Sequence, residues 1–396
     1  MRVPQYYSWE FKTIVETGAG CRTFAPARFM EMGSRRVVMI TDRGLVDAGV
    51  ADQVKDVFDA QDTPLIGVYD KVEQDAGSLN INDCARWYRE MAADGILAVG
   101  GGSVLDAAKS IKVMIGQKVT DIKELMAGNL GIFNRPLAKP LGVPHVSIPT
   151  TAGTGAEVSP GAVIYNEAEK VKGMLAHPYM NSDYALLDPD LTVGLPPGLT
   201  AQTGFDALSH CMEAYFSPNA NSMADALALQ GCRLIHQFLP EAVCDGNNLE
   251  ARTELLAASC IGIAAFFMAV GAIPIHNMAH AVGGTCRIPH GEANAVFIPV
   301  VMKNLSPFYQ PRAKSFAHAM GFHIDGLSET EILGLVIDEI VALQKKTGIN
   351  PKFSLEIDAA SLGNIHSAVK LDPAGLYFPI PDQVIAVCLK ESFVVK

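Results

Sequence analysis

The feature that most limits the fold is an alternation in the first half of the chain, where short β-rich apolar runs are separated by helical stretches. RVVMITD at 36–42 precedes a helical pattern, PLIGVYD follows it, LNINDCARWYREMAADG at 79–95 reads as a helix, and GILAVGG at 95–101 reads as a buried strand. HVSIP at 145–149, VIY near 163 and YALLD near 184 continue the series. Strands and helices in this order predict a mostly parallel sheet covered by helices. After DPDLTVGLPP at 188–197 the strand runs stop and long helical patterns begin, among them LTAQTGFDALSHCMEAYF and SETEILGLVIDEIVALQKK; the Pro-Gly cluster LPPG marks the change. The expectation is an α/β domain over residues 1–190 and an all-helical domain over 191–396. Two domains also suit a length beyond the roughly 250–300 residues at which single cores stop growing.

Composition narrows the partners. The formal net charge is −11 and no run of five like charges occurs, which argues against nucleic acid or an anionic membrane and for a small soluble ligand. The start MRVPQYYSWEFK lacks the apolar core of a secretory signal. The longest apolar run, IGIAAFFMAVGAIPI, is shorter than the ~20 residues a membrane span needs and carries Gly and Pro, so it reads as a buried helix. Eight cysteines without any C-x-x-C pair read as reduced thiols in a cytoplasm. Cys286, between two histidines, is either a soft metal ligand or a small buried filler.

Two loops could hold phosphate. GILAVGG runs into GGSVLDAAKSI, so Gly100, Gly101 and Gly102 sit where a strand turns into a helix. Glycines let backbone approach a ligand, and the free N–H groups and dipole of a helix start attract phosphate, although tight turns need glycine for geometry alone. The G-x-G-x-x-G fingerprint is absent from the first βα turn. The second loop, IPTTAGTGAEVSP, gathers Thr150, Thr151 and Thr154 with two glycines. Asp42 ends the strand RVVMITD, where an acid accepts from an adenosine ribose hydroxyl and disfavours a phosphate there; an aspartate in that place can equally cap a helix.

The helical half carries a candidate metal set. Asp206 and His210 stand at i and i+4, His276 and His280 repeat that spacing, and His290 follows in a Pro-His-Gly turn. One carboxylate with several imidazoles suits Fe(II), Zn, Co or Ni. The H-E-x-x-H pattern of zinc proteases is ruled out, because the residue after His276 is Asn277 and not the Glu that serves as base.

Taken together, GGGSVLDAAK, PTTAGTGAE, LLDPDLTVGLPPGLTAQTGFDALSHCMEA and HNMAHAVGGTCRIPHGEANAVFIP resemble the iron-containing (group III) alcohol dehydrogenase family, over about residues 12 to past 345. The resemblance implies a dehydroquinate synthase-like fold, with an α/β dinucleotide-binding domain, an all-α C-terminal domain and the active site in the cleft between them. It implies Asp206, His210, His276 and His290 as metal ligands and His280 beside nicotinamide and substrate. Cofactor contacts fall on Asp42, Gly101, Gly102, Ser103, Asp106, Thr150, Thr151, Thr154 and Lys172. The activity implied is interconversion of an alcohol with its aldehyde or ketone, with NAD(H) and a divalent ion, Fe(II) ahead of Zn; relatives suggest a homodimer.

The chain departs from the family at several points. Ile273 and Pro274 precede the metal histidine where the family shows Gly, and proline there can open a helix at its first position without harm. Tyr377-Phe378-Pro379-Ile380 replaces Asn-Pro-Arg, and small Gly161 and Ala162 stand where some relatives place a polar substrate contact. With Phe267 these residues predict a fairly apolar substrate pocket. VEQDAGSLNIND replaces a Pro-rich segment on the adenosine side. The alternatives are a hydroxyacid-oxoacid transhydrogenase, and a dehydroquinate synthase-like lyase, which needs a basic pocket that the stretch around Phe267 and Phe378 does not offer.

Overall fold

A computed structural model describes residues 6–61, 63–126, 138–167, 171–376 and 378–395. The chain divides into two compact units, one of Glu10–Gly194 and one of Leu195–Lys396 with Met1–Trp9.

The first unit contains strands β1 (Ile14–Thr17), β2 (Val37–Ile40), β3 (Gly67–Tyr69), β4 (Gly95–Gly100), β5 (His145–Pro149), β6 (Gly161–Asn166), β7 (Val171–Ala176) and β8 (Tyr184–Leu187). Its helices are α1 (Ala25–Glu31), α2 (Arg43–Asp47), α3 (Val50–Ala60), α4 (Ser78–Glu90), α5 (Gly102–Gln117) and the single turn α6 (Lys123–Met126). Six strands form one sheet in the order β1-β8-β5-β4-β2-β3, every pairing parallel. Central strands β2, β4 and β5 are buried along their whole length, which explains their unbroken apolar runs: helices cover both faces, so there is no solvent side to alternate toward.

One sequence expectation needs correction. VIY near 163 belongs to β6, which pairs antiparallel with β7 in a separate two-stranded sheet and not with the parallel sheet. An apolar run does not reveal its partner, and here the nearest one is the next strand along the chain. The hairpin is fastened to α5, where Asp106 Oδ2 accepts from the Val163 N–H at 2.9 Å and the buried Lys109 Nζ donates to Ser159 Oγ at 2.8 Å and to the Gly161 carbonyl.

The second unit contains α7 (Pro197–Phe216), α8 (Ser222–Cys244), α9 (Leu249–Ala269), α10 (Pro274–Cys286), α11 (His290–Asn304), α12 (Ser306–Ala319), α13 (Glu329–Lys346), α14 (Ala359–Leu371) and α15 (Asp382–Ser392). Two short strands, β9 (Glu356–Ile357) and β10 (Val394–Val395), pair in parallel and add a small ladder to an otherwise helical unit. Helix α9 holds most of the long apolar run. It is the one described helix long and apolar enough to cross a membrane, and most of its residues lie inside this unit, as expected for a core helix. The run breaks at Val270–Ile273, and Pro274 occupies the first turn of α10, where its missing N–H costs nothing. All eight cysteines are free of disulfides.

Candidate functional site

The phosphate-binding expectation converges on the carboxyl ends of the central strands. The register of β4 on β5 sets Gly100 opposite Pro149, so the loops after both strands start level, and the Thr150 N–H donates to the Gly100 carbonyl at 3.1 Å. Strands β3 and β4 lie on opposite sides of β2, which makes the β2–β4 junction a point where the strand order reverses; ligands of open α/β sheets bind there. A cavity of about 400 Å³ opens at that edge, lined by Asp42, Arg43 and Gly44 after β2, Val72–Gln74 after β3, and Gly101–Val104 after β4. The N-terminus of the sixteen-residue α5 faces this space, and a Cβ on Gly102 would meet Thr154 Cγ2 at 2.7 Å, so a side chain there would push Thr154 out of its place in the second loop.

The other expected cofactor residues take varied places. Asp42 Oδ1 accepts from the Leu45 N–H at 3.0 Å, so the carboxylate caps α2 while lining the cavity; the two readings of this residue are compatible. Thr151 lies beside Gly101, and Thr150 is buried under the loop. Ser103 Oγ accepts from the Asp75 N–H at 3.1 Å, and Asp75 is ion-paired to Lys172 at 2.7 Å, which carries Lys172 to the rim. Asp106 is turned the other way, toward Lys109 at 2.9 Å and the hairpin. Gly161 and Ala162 are buried in this unit, Ala162 within its apolar core.

In the helical unit, the spacing seen in the sequence becomes a cluster. Asp206 and His210 lie one turn apart on α7, and His276 and His280 one turn apart on α10. His290 opens α11, where a Cβ on Gly291 would strike the Gln202 carbonyl oxygen at 2.3 Å; the absent side chain lets α11 press its first turn onto α7 and bring His290 to Asp206. Asp206 Oδ1 is 3.4 Å from His290 Nε2 and 3.8 Å from His276 Nε2, and one donor atom from each of the three residues lies within 4.8 Å of the others. His210 joins through His276, their Nε2 atoms 3.2 Å apart. Ligands held about 2.1 Å from one ion stand roughly 3–3.5 Å apart, a spacing the 3.4 and 3.2 Å pairs meet and the 3.8 Å pair reaches with a shift of a few tenths of an ångström, so this donor set fits a divalent cation. Cys286 is half-buried next to Thr285 and outside this group.

Three residues escaped the sequence reading. Glu213, a further seven residues along α7 from Asp206, is buried and places Oε2 on His276 Nδ1, while Oε1 accepts from the Ile275 N–H at 2.6 Å and the His276 N–H at 3.3 Å. It thus serves the unsatisfied N–H groups at the start of α10 and the ligand imidazole together. Burial and the Asp206 carboxylate push the Glu213 carboxyl well up, and burial with the neighbouring His210, His290 and His280 pushes His276 well down. A cation at His276 Nε2 requires the ring proton on Nδ1, where Glu213 accepts it. The signal for Glu213 was present, since positions i, i+4 and i+7 share a helix face. Asn294, one turn after His290, donates to Asp206 Oδ1 at 2.8 Å. Phe266, not Phe267, sets its ring against His210 and His276 at centroid distances of 5.3 and 5.4 Å; Phe267 is half-buried behind it at 5.7 Å. Phe378 packs on Phe308 at 4.8 Å, and Tyr377 lies outside the described residues.

His280 stands apart from the ligand atoms. Its ring stacks on that of His290, centroids 5.4 Å apart and planes 20° from parallel, and its Nδ1 is 3.3 Å from Asp372 Oδ2.

Comparison with known proteins agrees with this architecture. A family model described as iron-containing alcohol dehydrogenase matches residues 13–189, and one for the C-terminal part of the Fe-containing alcohol dehydrogenase family matches residues 200–364. Long-chain-alcohol dehydrogenase 1 of Geobacillus thermodenitrificans is 33% identical over 86% of this chain and 84% of its own length. NAD-dependent methanol dehydrogenase of Bacillus methanolicus is 31% identical over 84% of each chain. The crystal structure of a 1,3-propanediol oxidoreductase superposes with a TM-score of 0.88 at 30% identity, covering 98% of this chain and all of the other. The fold and the helical donor cluster define a two-unit, metal- and dinucleotide-dependent oxidoreductase. The chain belongs to the iron-containing alcohol dehydrogenase family.

Proposed function

We propose that the protein interconverts a small or medium, fairly apolar alcohol with its aldehyde or ketone, using NAD(H) and Fe(II). The observation that carries this reading is the convergence of Asp206 Oδ1 with the imidazoles of His276 and His290, His210 at the edge of the group, and Glu213 holding the His276 ring by its other nitrogen. Asp206, His210, His276 and His290 are the residues that would hold the ion. When bound, the ion supplies a Lewis acid for the substrate oxygen and the dinucleotide supplies the hydride acceptor or donor. Glu213 and Asn294 fix the orientation of the donors, and the rings of Phe266 and Phe267 keep that side of the cluster dry. His280 takes the hydroxyl proton in oxidation and returns it in reduction. The rings of Phe266, beside the imidazoles, and Phe267, behind it, support an apolar substrate over a phosphorylated or acidic one.

The pyrophosphate is assigned to Gly101, Gly102, Ser103 and the threonine loop, and the adenosine ribose to Asp42. The test is metal analysis of anaerobically purified protein, followed by oxidation rates over alcohols of increasing chain length with NAD or NADP. Iron near one equivalent, activity lost on chelation and restored by Fe(II), and rates rising with chain length are expected; full activity in metal-free protein would overturn the reading.

Discrimination between the dinucleotides is assigned to the Asp42 charge. Asp42→Gly should relax the NAD preference by about fivefold to several hundredfold, because two unit charges about 4 Å apart repel by ~1–4 kcal/mol between watery and partly buried surroundings. The ratio of kcat/KM values for NAD and NADP measures it, and an unchanged ratio removes Asp42 from the ribose site.

A further inference from the structure

His280 is the proposed proton carrier, and a proton carrier works only if the correct ring nitrogen is bare. The sequence gives no hint of what decides this, because the residue involved lies ninety-two positions away at the end of α14. Asp372 caps α14, and its carboxylate is divided between two tasks. Oδ1 accepts from the Ala374 N–H at 2.8 Å and so shapes the short turn Pro373–Leu376, while Oδ2 faces His280 Nδ1 at 3.3 Å. The Gly375 N–H closes the turn on the Asp372 carbonyl at 2.9 Å, which holds the carboxylate in place from the backbone side. On its other side the His280 ring is stacked on His290 and meets the His276 ring edge-on at 5.9 Å, so it is clamped between α10, α11 and the turn after α14.

We infer that Asp372 is the positioning residue of His280: its Oδ2, 3.3 Å from Nδ1, draws the ring proton to that nitrogen, favours the Nδ1-protonated tautomer, and leaves the Nε2 lone pair as the site that receives the substrate proton. This rests on the proton role given to His280 above. In oxidation the substrate O–H bond breaks, an N–H bond forms at His280 Nε2, the electron pair stays on oxygen, and the proton passes from Nε2 to water; reduction reverses each step. Asp372 thereby orients the ring as the aspartate of a catalytic triad orients its imidazole.

The discriminating variant is Asp372→Asn. Asparagine keeps the size of the side chain, and its Oδ1 can still accept from the Ala374 N–H, so the turn and the melting temperature should hold. Its NH2 then faces Nδ1 and donates to it, which forces the proton to Nε2. The expected result is a fall in kcat of about 10- to 100-fold with KM for the alcohol and metal content unchanged. In the zinc-loaded, diamagnetic protein labelled with nitrogen-15 histidine, the His280 resonances, assigned by their loss in His280→Gln, should show the proton on Nδ1 in the parent and on Nε2 in Asp372→Asn. Full kcat in Asp372→Asn beside a slow His280→Gln overturns the inference alone. Full kcat in His280→Gln overturns the underlying proton role. A slow Asp372→Asn with the parent tautomer, or with metal lost, reduces Asp372 to a structural cap and also overturns it.

Discussion

Asp206→Ala is expected to yield folded protein that copurifies with far less than one equivalent of metal and oxidises alcohols at least ~10³-fold more slowly. The magnitude follows from what the residue contributes. Asp206 is the one carboxylate in the converging group with His276 and His290, whose imidazoles, like that of His210 beside them, would be neutral ligands, so Asp206 would supply the charge that compensates a divalent ion. Loss of the ion forfeits several kcal/mol of stabilisation of the charge that develops on oxygen, and each 1.36 kcal/mol is a tenfold change in rate. Asn294 loses its acceptor at 2.8 Å, a smaller effect of about 1–3 kcal/mol on stability. Metal content by elemental analysis and kcat/KM for one alcohol check both halves. A variant that keeps a full complement of metal contradicts the assignment of Asp206 as a ligand.

Glu213→Leu should damage both the fold and the site. Three donors end on this one carboxylate: the Ile275 and His276 N–H groups at the start of α10, and His276 Nδ1. Leucine fills the space and leaves these buried groups without an acceptor, at about 1–3 kcal/mol for each N–H group and so about 3–5 kcal/mol together, which corresponds to a fall in Tm of roughly 6–20 °C for a unit of about 200 residues. Metal affinity should weaken by at least 10- to 100-fold, since nothing then holds the His276 ring with its Nε2 free. Thermal denaturation of the metal-free protein isolates the first effect, and competition with a chelator isolates the second. Glu213→Gln separates them further. Its amide oxygen can keep both backbone N–H groups, so the Tm should largely recover, whereas its NH2 opposes the required ring tautomer and affinity should not.

The residues legible in the sequence are those whose partners lie within a few positions. Asp206 with His210, and His276 with His280, were visible as helical pairs because one turn of helix joins them. The glycines after β4 and the threonines after β5 were visible because each loop follows directly from an apolar run. Asp42 was legible only as a choice between helix cap and ribose acceptor, and the structure shows that one carboxylate can cap α2 and still face the cavity. Residues whose role depends on distant partners were not legible. That Glu213 shares the Asp206 face of α7 is legible, but that α10 starts at its carboxylate is not, and Asp372 looks like an ordinary cap until the turn after α14 meets His280. Phe266 and Phe267 cannot be ranked by sequence, because the rotation of α9 about its axis alone decides which ring reaches the imidazoles.

By itself the sequence determined the two-part architecture, the change near LPPG, the family resemblance and the types of donor available for a metal, because periodicity and donor chemistry are properties of short stretches. It also pointed to the start of α10 at Pro274, since a residue without an N–H sits in a helix's first turn without cost. Tertiary structure alone decided that the strand at Gly161–Asn166 leaves the main sheet for a hairpin, that Asp106 accepts from the Val163 N–H of that hairpin, and that Gly291 lets α11 seat on α7 and deliver His290 to Asp206. The physical reason is the same in each case: a side chain's chemistry is written locally, whereas the atom it faces is set by how distant segments pack.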